Sequence, residues 1–303
     1  MLSPQKEFNN FKIHTQYSIC EGAIKIDELS LYSKNNKIRS FGICDSYNLC
    51  GALEFAEKIS KSGTQPIIGT QINFLVDNII GKLPLFAATS EGYKNLTKLS
   101  SKSYLDSDQQ KDPHCEIEIL NSINKDLIIL TGSQYDLFGK LFFLNKLNVI
   151  EKTIIKLKSI FKDKIYIEIQ RHKEPNEKKF ENYLINLSKK LEMPLIASQE
   201  VFYINKDMFE AHDALICIGE KSFMSDPNRK KYSNQHFLKS TQDLKTLYAD
   251  IPEALENNYN FPIRFSFKPK KSPPILPTIK TEKNMTVEKE LLAQAEYGLK
   301  NRL

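Results

Sequence analysis

From about Phe8 to Ile218 the chain alternates short runs rich in β-branched and aromatic residues with longer amphipathic stretches, and this alternation restricts its fold more than any other feature. Seven runs read as strands: Asn10 to His14, Ile38 to Cys44, Pro66 to Phe74, Leu83 to Thr89, Leu127 to Thr131, Lys164 to Gln170 and Pro194 to Ser198. Helical stretches separate most of them. The clearest is Glu177 to Leu191, where Phe180, Tyr183, Leu184, Leu187 and Leu191 recur at three- and four-residue spacing. Gly51 to Ser62 is similar, stopped by Gly63 and followed by Pro66 at the next strand. Repeated strand, helix, strand predicts an α/β fold whose parallel sheet is joined by crossover helices, either a barrel or a doubly wound open sheet. Periodicity does not choose between the two.

In such folds sites are built at the C-terminal ends of the strands. The first strand ends on Phe11-Lys12-Ile13-His14. Residues two apart share a face, so Lys12 and His14 project together while Phe11 and Ile13 point into packing. A histidine there could hold a metal, but the ammonium of Lys12 offers no lone pair and repels a cation. The polar residues at the other strand ends are Asp45-Ser46, Gln71, Ser133, Gln170 with His172, and Glu200. Each has a plain alternative: a turn for Asp45, a surface loop for His172, a lysine partner for Glu200. Together on one edge they predict a pocket. Of the remaining histidines, His114, His212 and His236, His212 falls inside a helical segment started by Asn205 or Asp207, where packing or capping is expected. Nothing in the chain forms a glycine-rich phosphate loop or a nucleophile elbow.

Composition removes several function classes. With 303 residues and 41% apolar content the chain can bury a large core, and no apolar run approaches the roughly 20 residues of a membrane helix. Met1 to Asn10 lacks the apolar centre of a signal peptide, so a cytoplasmic location and no membrane partner are expected. Five cysteines without a C-x-x-C pair predict reduced packing residues. The net charge of +6 rests on lysine, with arginine only at 39, 171, 229, 264 and 302. That balance fits proximity to nucleic acid or plain solubility. After Phe265 the character changes: Lys268-Pro269-Lys270-Lys271-Ser272-Pro273-Pro274 and Pro277 form an extended linker. Thr286 then caps a helix running to Leu303, which predicts the opening of another domain and a chain that is a fragment.

The order of certain segments resembles a known family. They include Ile13-His14-Thr15-Gln16-Tyr17-Ser18, Cys44-Asp45-Ser46-Tyr47-Asn48-Leu49-Cys50-Gly51-Ala52-Leu53-Glu54-Phe55, and Gln65-Pro66-Ile67-Ile68-Gly69. Tyr93-Lys94-Asn95-Leu96, Tyr166-Ile167-Glu168-Ile169-Gln170-Arg171-His172, Pro194-Leu195-Ile196-Ala197-Ser198, Ala211-His212-Asp213-Ala214-Leu215 and Ile251-Pro252-Glu253-Ala254-Leu255-Glu256-Asn257 follow in order. Residues 8 to 303 are similar to the N-terminal part of the bacterial replicative DNA polymerase III alpha subunit, which opens with a PHP (polymerase and histidinol phosphatase) domain. The resemblance implies a distorted, seven-stranded (β/α) barrel over residues 1–265, then a linker and the first helix of the polymerase palm region over 266–303.

In active members the site is a metal cluster held by an H-x-H pair, an Asp-His pair, a glutamate, a cysteine and a D-x-H motif. Carried over, Lys12 stands for the first histidine and His14 keeps the second; Asp45 is kept but Ser46 replaces its histidine. Gln71 replaces the glutamate, Ser133 the cysteine, Glu200 the aspartate and Phe202 the last histidine. Only His14, Asp45 and Glu200 can still ligate, fewer than a hydrolytic metal site needs. The expectation is a degenerate pocket without metal, in which Lys12 bridges Asp45 and Glu200. The implied role is a scaffold that stabilises the polymerase and docks the proofreading exonuclease subunit epsilon and other replicase subunits. DNA contact and nucleotidyl transfer on Mg2+ would belong to the full-length subunit. The alternatives are an active metal-dependent phosphoesterase or 3′ to 5′ exonuclease, and a free-standing binding protein.

Overall fold

A computed structural model of the chain describes residues 6–107, 110–277, 280–281 and 285–303. The strands are β1 (Lys12–Ile13), β2 (Ser40–Ser46), β3 (Gln65–Val76), β4 (Ile79–Ala87), β5 (Cys115–Glu116), β6 (Leu127–Leu130), β7 (Ile165–Ile169), β8 (Leu195–Ala197) and β9 (Glu200–Val201). The helices are α1 (Ile26–Asn36), α2 (Ala52–Lys61), α3 (Ser90–Leu105), α4 (Leu137–Phe143), α5 (Leu147–Phe161), α6 (Glu177–Leu191), α7 (Phe209–Glu220), α8 (Thr241–Leu247), α9 (Pro252–Asn260) and α10 (Val287–Lys300). All seven expected strands are present, and β5 and β9 are added to them. The chain forms two compact units, Met1–Lys270 and Lys271–Leu303.

One ladder runs β8-β7-β6-β4-β3-β2-β1-β9, with β5 on the side of β3. The strands at its two ends, β8 and β9, are consecutive in the chain and separated only by Ser198 and Gln199. Three peptide steps span roughly 11 Å at most, so the two ends of the sheet must nearly meet. The sheet therefore curls into a distorted barrel, closed by chain connectivity where hydrogen bonds do not close it.

The expectation of purely parallel crossovers fails at one place. β3 and β4 pair antiparallel from Gly69 opposite Phe86 to Val76 opposite Ile79, and β4 pairs antiparallel with β6. The link is the two-residue turn Asp77-Asn78, with φ of +49° and +62°. Two left-handed residues match the right-handed twist of a hairpin, and Asn and Asp accept that conformation more readily than most residues.

Expected helix boundaries hold closely. In α6 the buried face is Phe180, Leu184 and Leu187, set against β7. α7, by contrast, begins at Phe209 after a 3-10 turn over Lys206–Met208, and neither Asn205 nor Asp207 caps it through its side chain. Phe11 and Ile13 also part company. Ile13 packs with Ile43 and Ile68 in the layer under α1 and α2, whereas Phe11 joins Phe86, Phe261 and Phe265. These aromatics fill the barrel at the N-terminal ends of its parallel strands, where Gln65 Nε2 donates to the Phe265 carbonyl at 3.1 Å. Gly69 makes room for them, since a Cβ there would stand 2.4 Å from the Phe86 ring. The other end of the barrel is left to polar residues. The five cysteines are all free.

In the second unit, α10 starts as expected, with the Thr286 hydroxyl accepting from the Lys289 N–H. Leu291 and Leu292 of this helix are exposed. No described helix is long and apolar enough to cross a membrane.

Candidate functional site: a buried lysine among carboxylates

β1 lies between β2 and β9, so its side chains face residues carried by both neighbours. Lys12 pairs in register with Glu200 and is fully buried. Its ammonium lies 3.4 Å from Asp136 Oδ2, 3.5 Å from Glu168 Oε1 and 3.4 Å from Glu200 Oε1. His14 shares the face, as strand alternation requires, with Nε2 3.0 Å from the same Glu200 oxygen. Gln71 Nε2 donates to that oxygen too, at 2.8 Å.

The expected bridge from Lys12 to Asp45 is not formed; only its Glu200 half is. Asp45 is held instead by the loop after β1: the Thr15 N–H and hydroxyl donate to it at 2.6 and 2.8 Å, and the Ser18 hydroxyl at 2.7 Å. The reason is local. The chain turns directly after His14, which brings three donors to Asp45 before a longer side chain can reach it. Ser133 donates through its N–H and hydroxyl to Asp136 Oδ2, at 2.7 and 2.9 Å, and so aims that carboxylate at Lys12. Ser46 donates to Glu21, which also pairs with Lys82 at 2.9 Å. The Phe202 ring lies 4.7 Å from His14 and stacks on His212 at 5.3 Å.

Burial works against the charge of Lys12, yet Glu168, Glu200 and Asp136 outweigh it and raise its pKa. Burial likewise pushes Glu200 up, but Lys12 and the hydrogen bond from His14 more than offset that and hold it well below the usual carboxylate range. In Glu168 burial wins over the nearby ammonium, and its pKa is raised. Asp45 is raised by burial despite its three donors. Glu21, whose burial is outweighed by Lys82, is drawn down to about 2. Its unfolded value is near 4.5, so the stability it contributes is complete above that pH and is lost as the pH falls towards 2. Lys82→Met should flatten this part of the acid-unfolding curve measured by circular dichroism; an unchanged curve would show that the pair contributes nothing.

The PHP domain family model matches residues 10–172, more than half of the chain. The chain belongs to the PHP domain family. Relatives similar to this PHP chain include the DNA polymerase III subunit alpha of Caulobacter vibrioides, 33% identical over 98% of the chain and 27% of the relative. That of Rickettsia bellii is 33% identical over 99% of the chain and 26% of the relative. The chain thus spans about a quarter of the length of these curated relatives. Among solved structures, it is similar to an amidohydrolase from Chromobacterium violaceum, with a TM-score of 0.44, 9% identity and coverage of 69% of this chain and 96% of that one. A two-domain protein from Bacteroides vulgatus containing a predicted PHP-like metal-dependent phosphoesterase gives 0.40, 9%, 78% and 62%.

In the PHP barrel the Lys12 ammonium lies between the three carboxylates of Asp136, Glu168 and Glu200. A divalent cation among the three carboxylates would have to share their centre with the Lys12 ammonium, within a few ångströms and at low dielectric. Phe202 places an apolar ring against the one histidine of the cluster. Among the described residues no group of three or more His, Cys, Asp or Glu side chains is disposed to hold a metal ion. Glu168 Oε2 and Gln71 Oε1 are buried without a hydrogen-bond partner. Such acceptors are rare and costly in native cores.

Two members of the cluster, Glu168 and Asp136, were not expected from the sequence. Glu168 precedes Gln170 by two residues on β7, so strand parity alone would have turned it inward. Asp136 follows Ser133 by three residues, the spacing of a side-chain turn. His172, a strand-end residue whose plain alternative was a surface loop, is buried beside the cluster: its Nε2 accepts from the Glu200 N–H at 3.3 Å, and its ring stacks on His236 at 3.9 Å. Burial drives its pKa well below the ordinary value, which keeps it neutral. Beside the cluster a small recess is lined by Gln170, His172, Glu174 and His236 among others.

Proposed function

We propose that this PHP barrel is a catalytically degenerate scaffold at the N-terminus of a cytoplasmic replicative DNA polymerase III alpha subunit. It stabilises that subunit and docks the proofreading exonuclease, epsilon, among the other replicase subunits. Template-directed DNA synthesis and its Mg2+ belong to the remainder of the subunit. The observation that carries the scaffold reading is the Lys12 ammonium, fully buried and within 3.5 Å of three carboxylates. A fixed internal cation takes over the charge balance that a metal cluster would supply, and the barrel keeps its architecture without that chemistry. The alpha-subunit reading is supported by the relatives, which align over nearly the whole chain.

The test uses purified chain incubated with Mn2+ or Zn2+, desalted, and assayed for bound metal and for phosphodiester hydrolysis. The expected result is substoichiometric metal and no hydrolysis that depends on His14. Stoichiometric metal together with hydrolysis abolished by His14→Ala would overturn the scaffold reading. Docking is tested separately by co-elution with the exonuclease subunit of the same organism, and its absence would remove that part.

A further inference from the structure

We propose that one face of the barrel unit, formed by Tyr93, Lys94 and Lys98 of α3 with Phe267, Lys268 and Lys270, binds single-stranded nucleic acid. The Phe267 ring packs on Tyr93 with centroids 5.2 Å apart, and both rings are only partly buried. Their positions are set by backbone bonds: Ser266 donates its N–H to the Ala88 carbonyl at 3.0 Å, just before α3 begins. Lys94 and Lys98 are one helical turn apart and exposed, and Lys268 and Lys270 are exposed on either side of the buried Pro269. The result is an aromatic platform edged by cations.

The charge on this face is mostly positive. No carboxylate occurs between Glu256 and the end of the unit at Lys270, while that stretch carries Arg264, Lys268 and Lys270. Some lysines elsewhere are matched, as Lys58 is by Asp27 and Glu54, Lys156 by Glu118 and Lys190 by Glu151. Among the described residues Lys98, Lys268 and Lys270 have no ion pair, and Lys94 has one at 3.7 Å to Glu91. A solubility surface needs no aromatic pair at its centre. Cations that track phosphates, combined with rings on which bases stack, are what single-strand binding requires, and duplex bases cannot reach the rings.

The experiment is fluorescence anisotropy of a labelled oligothymidylate with the 303-residue chain over a series of salt concentrations. Binding is expected, with a log–log salt slope that becomes shallower by about 0.7 for each of Lys268→Gln and Lys270→Gln. Phe267→Leu, which keeps the apolar contact with Tyr93, should weaken binding by roughly tenfold with little change in slope, its melting temperature serving as the check on folding. Lys152→Gln with Lys156→Gln, on α5, should have no effect. Absence of binding, or binding indifferent to Lys268 and Lys270, would reduce the face to a solvated one. Equal affinity for duplex and single strand, with Phe267→Leu silent, would leave only diffuse polyanion attraction and would equally overturn the proposal. No metal or partner subunit enters the assay, so its failure leaves the scaffold reading standing.

Discussion

Lys12→Met should lower the stability of the barrel unit by about 3–5 kcal/mol at neutral pH, the largest effect expected of any single substitution in the site. Methionine is one atom shorter than lysine but, with its larger sulfur, fills nearly the same volume, so packing is largely conserved. What is lost is the one cation within 3.5 Å of Asp136, Glu168 and Glu200. Three buried carboxylates then face one another with no ammonium between them, and removing one partner of a buried ion cluster costs far more than deleting the whole of it. At roughly 2–4 °C per kcal/mol for a unit of this size, thermal unfolding followed by circular dichroism should shift by 6 °C or more.

The pH dependence distinguishes this cause from ordinary repacking. In the wild type the pKa of Glu200 is depressed, chiefly because Lys12 outweighs its burial. Its contribution to stability is therefore complete above the unfolded carboxylate value of about 4.3 and is lost as the pH falls through the folded value. Without Lys12, burial alone raises the folded carboxylate pKa values. A raised group is most favourable below the unfolded value and loses that advantage as the pH rises through the folded one. The gap between variant and wild type should thus narrow on acidification from pH 7 to 5. Combining Lys12→Met with Glu168→Gln and Glu200→Gln should recover much of the loss at neutral pH. A variant as stable as wild type at pH 7, or a gap that does not change with pH, would show that the cluster is not held by this charge.

Arg171→Met is expected to be the second most damaging change, at about 2–4 kcal/mol by urea unfolding, because it leaves the buried Glu181 carboxylate with only the exposed Lys178 as an ionic partner. The guanidinium donates to both oxygens of Glu181 at 2.8 and 2.9 Å, to both oxygens of Asp250 at 2.6 and 2.8 Å, and to the Leu247 carbonyl at 2.6 Å. Glu181 is 4% exposed, so it bears the main cost. Asp250 is open to water and contributes little. Arg171 joins the end of β7 to α6 and to the segment after α8, and an ammonium lacks the planar fork by which the guanidinium meets both oxygens of each carboxylate. Arg171→Lys should recover less than half of the loss; full recovery would mean that charge rather than geometry holds these elements together.

Much of the fold was legible because it is written in local patterns. Seven strands and the α6 face follow from side-chain period, which depends only on neighbouring residues. The β3–β4 reversal was also local, carried by Asp77-Asn78, but two turn residues are a weaker signal than a run of apolar ones. The site was legible as a set of strand-end positions and not as a set of contacts. His14, Gln71 and Glu200 do converge, with Lys12 among them, and Ser133 acts one step removed through Asp136. Asp45 was assigned the wrong partner because its competition between Lys12 and the Thr15–Ser18 donors is decided by where the backbone turns.

The sequence by itself determined an α/β fold and, through its resemblance to the PHP family, implied a barrel whose strand ends carry a lysine, two serines, a glutamine and a phenylalanine where that family has metal ligands. Only the tertiary structure decided what that lysine does. Asp136, Glu168 and Glu200 lie 124, 156 and 188 residues from Lys12, and no local period connects them. Closure of the barrel brings them within 3.5 Å of its ammonium. At that distance and in a dry interior, Coulomb attraction outweighs the cost of burial and turns an unpromising metal ligand into the counter-ion of its own site.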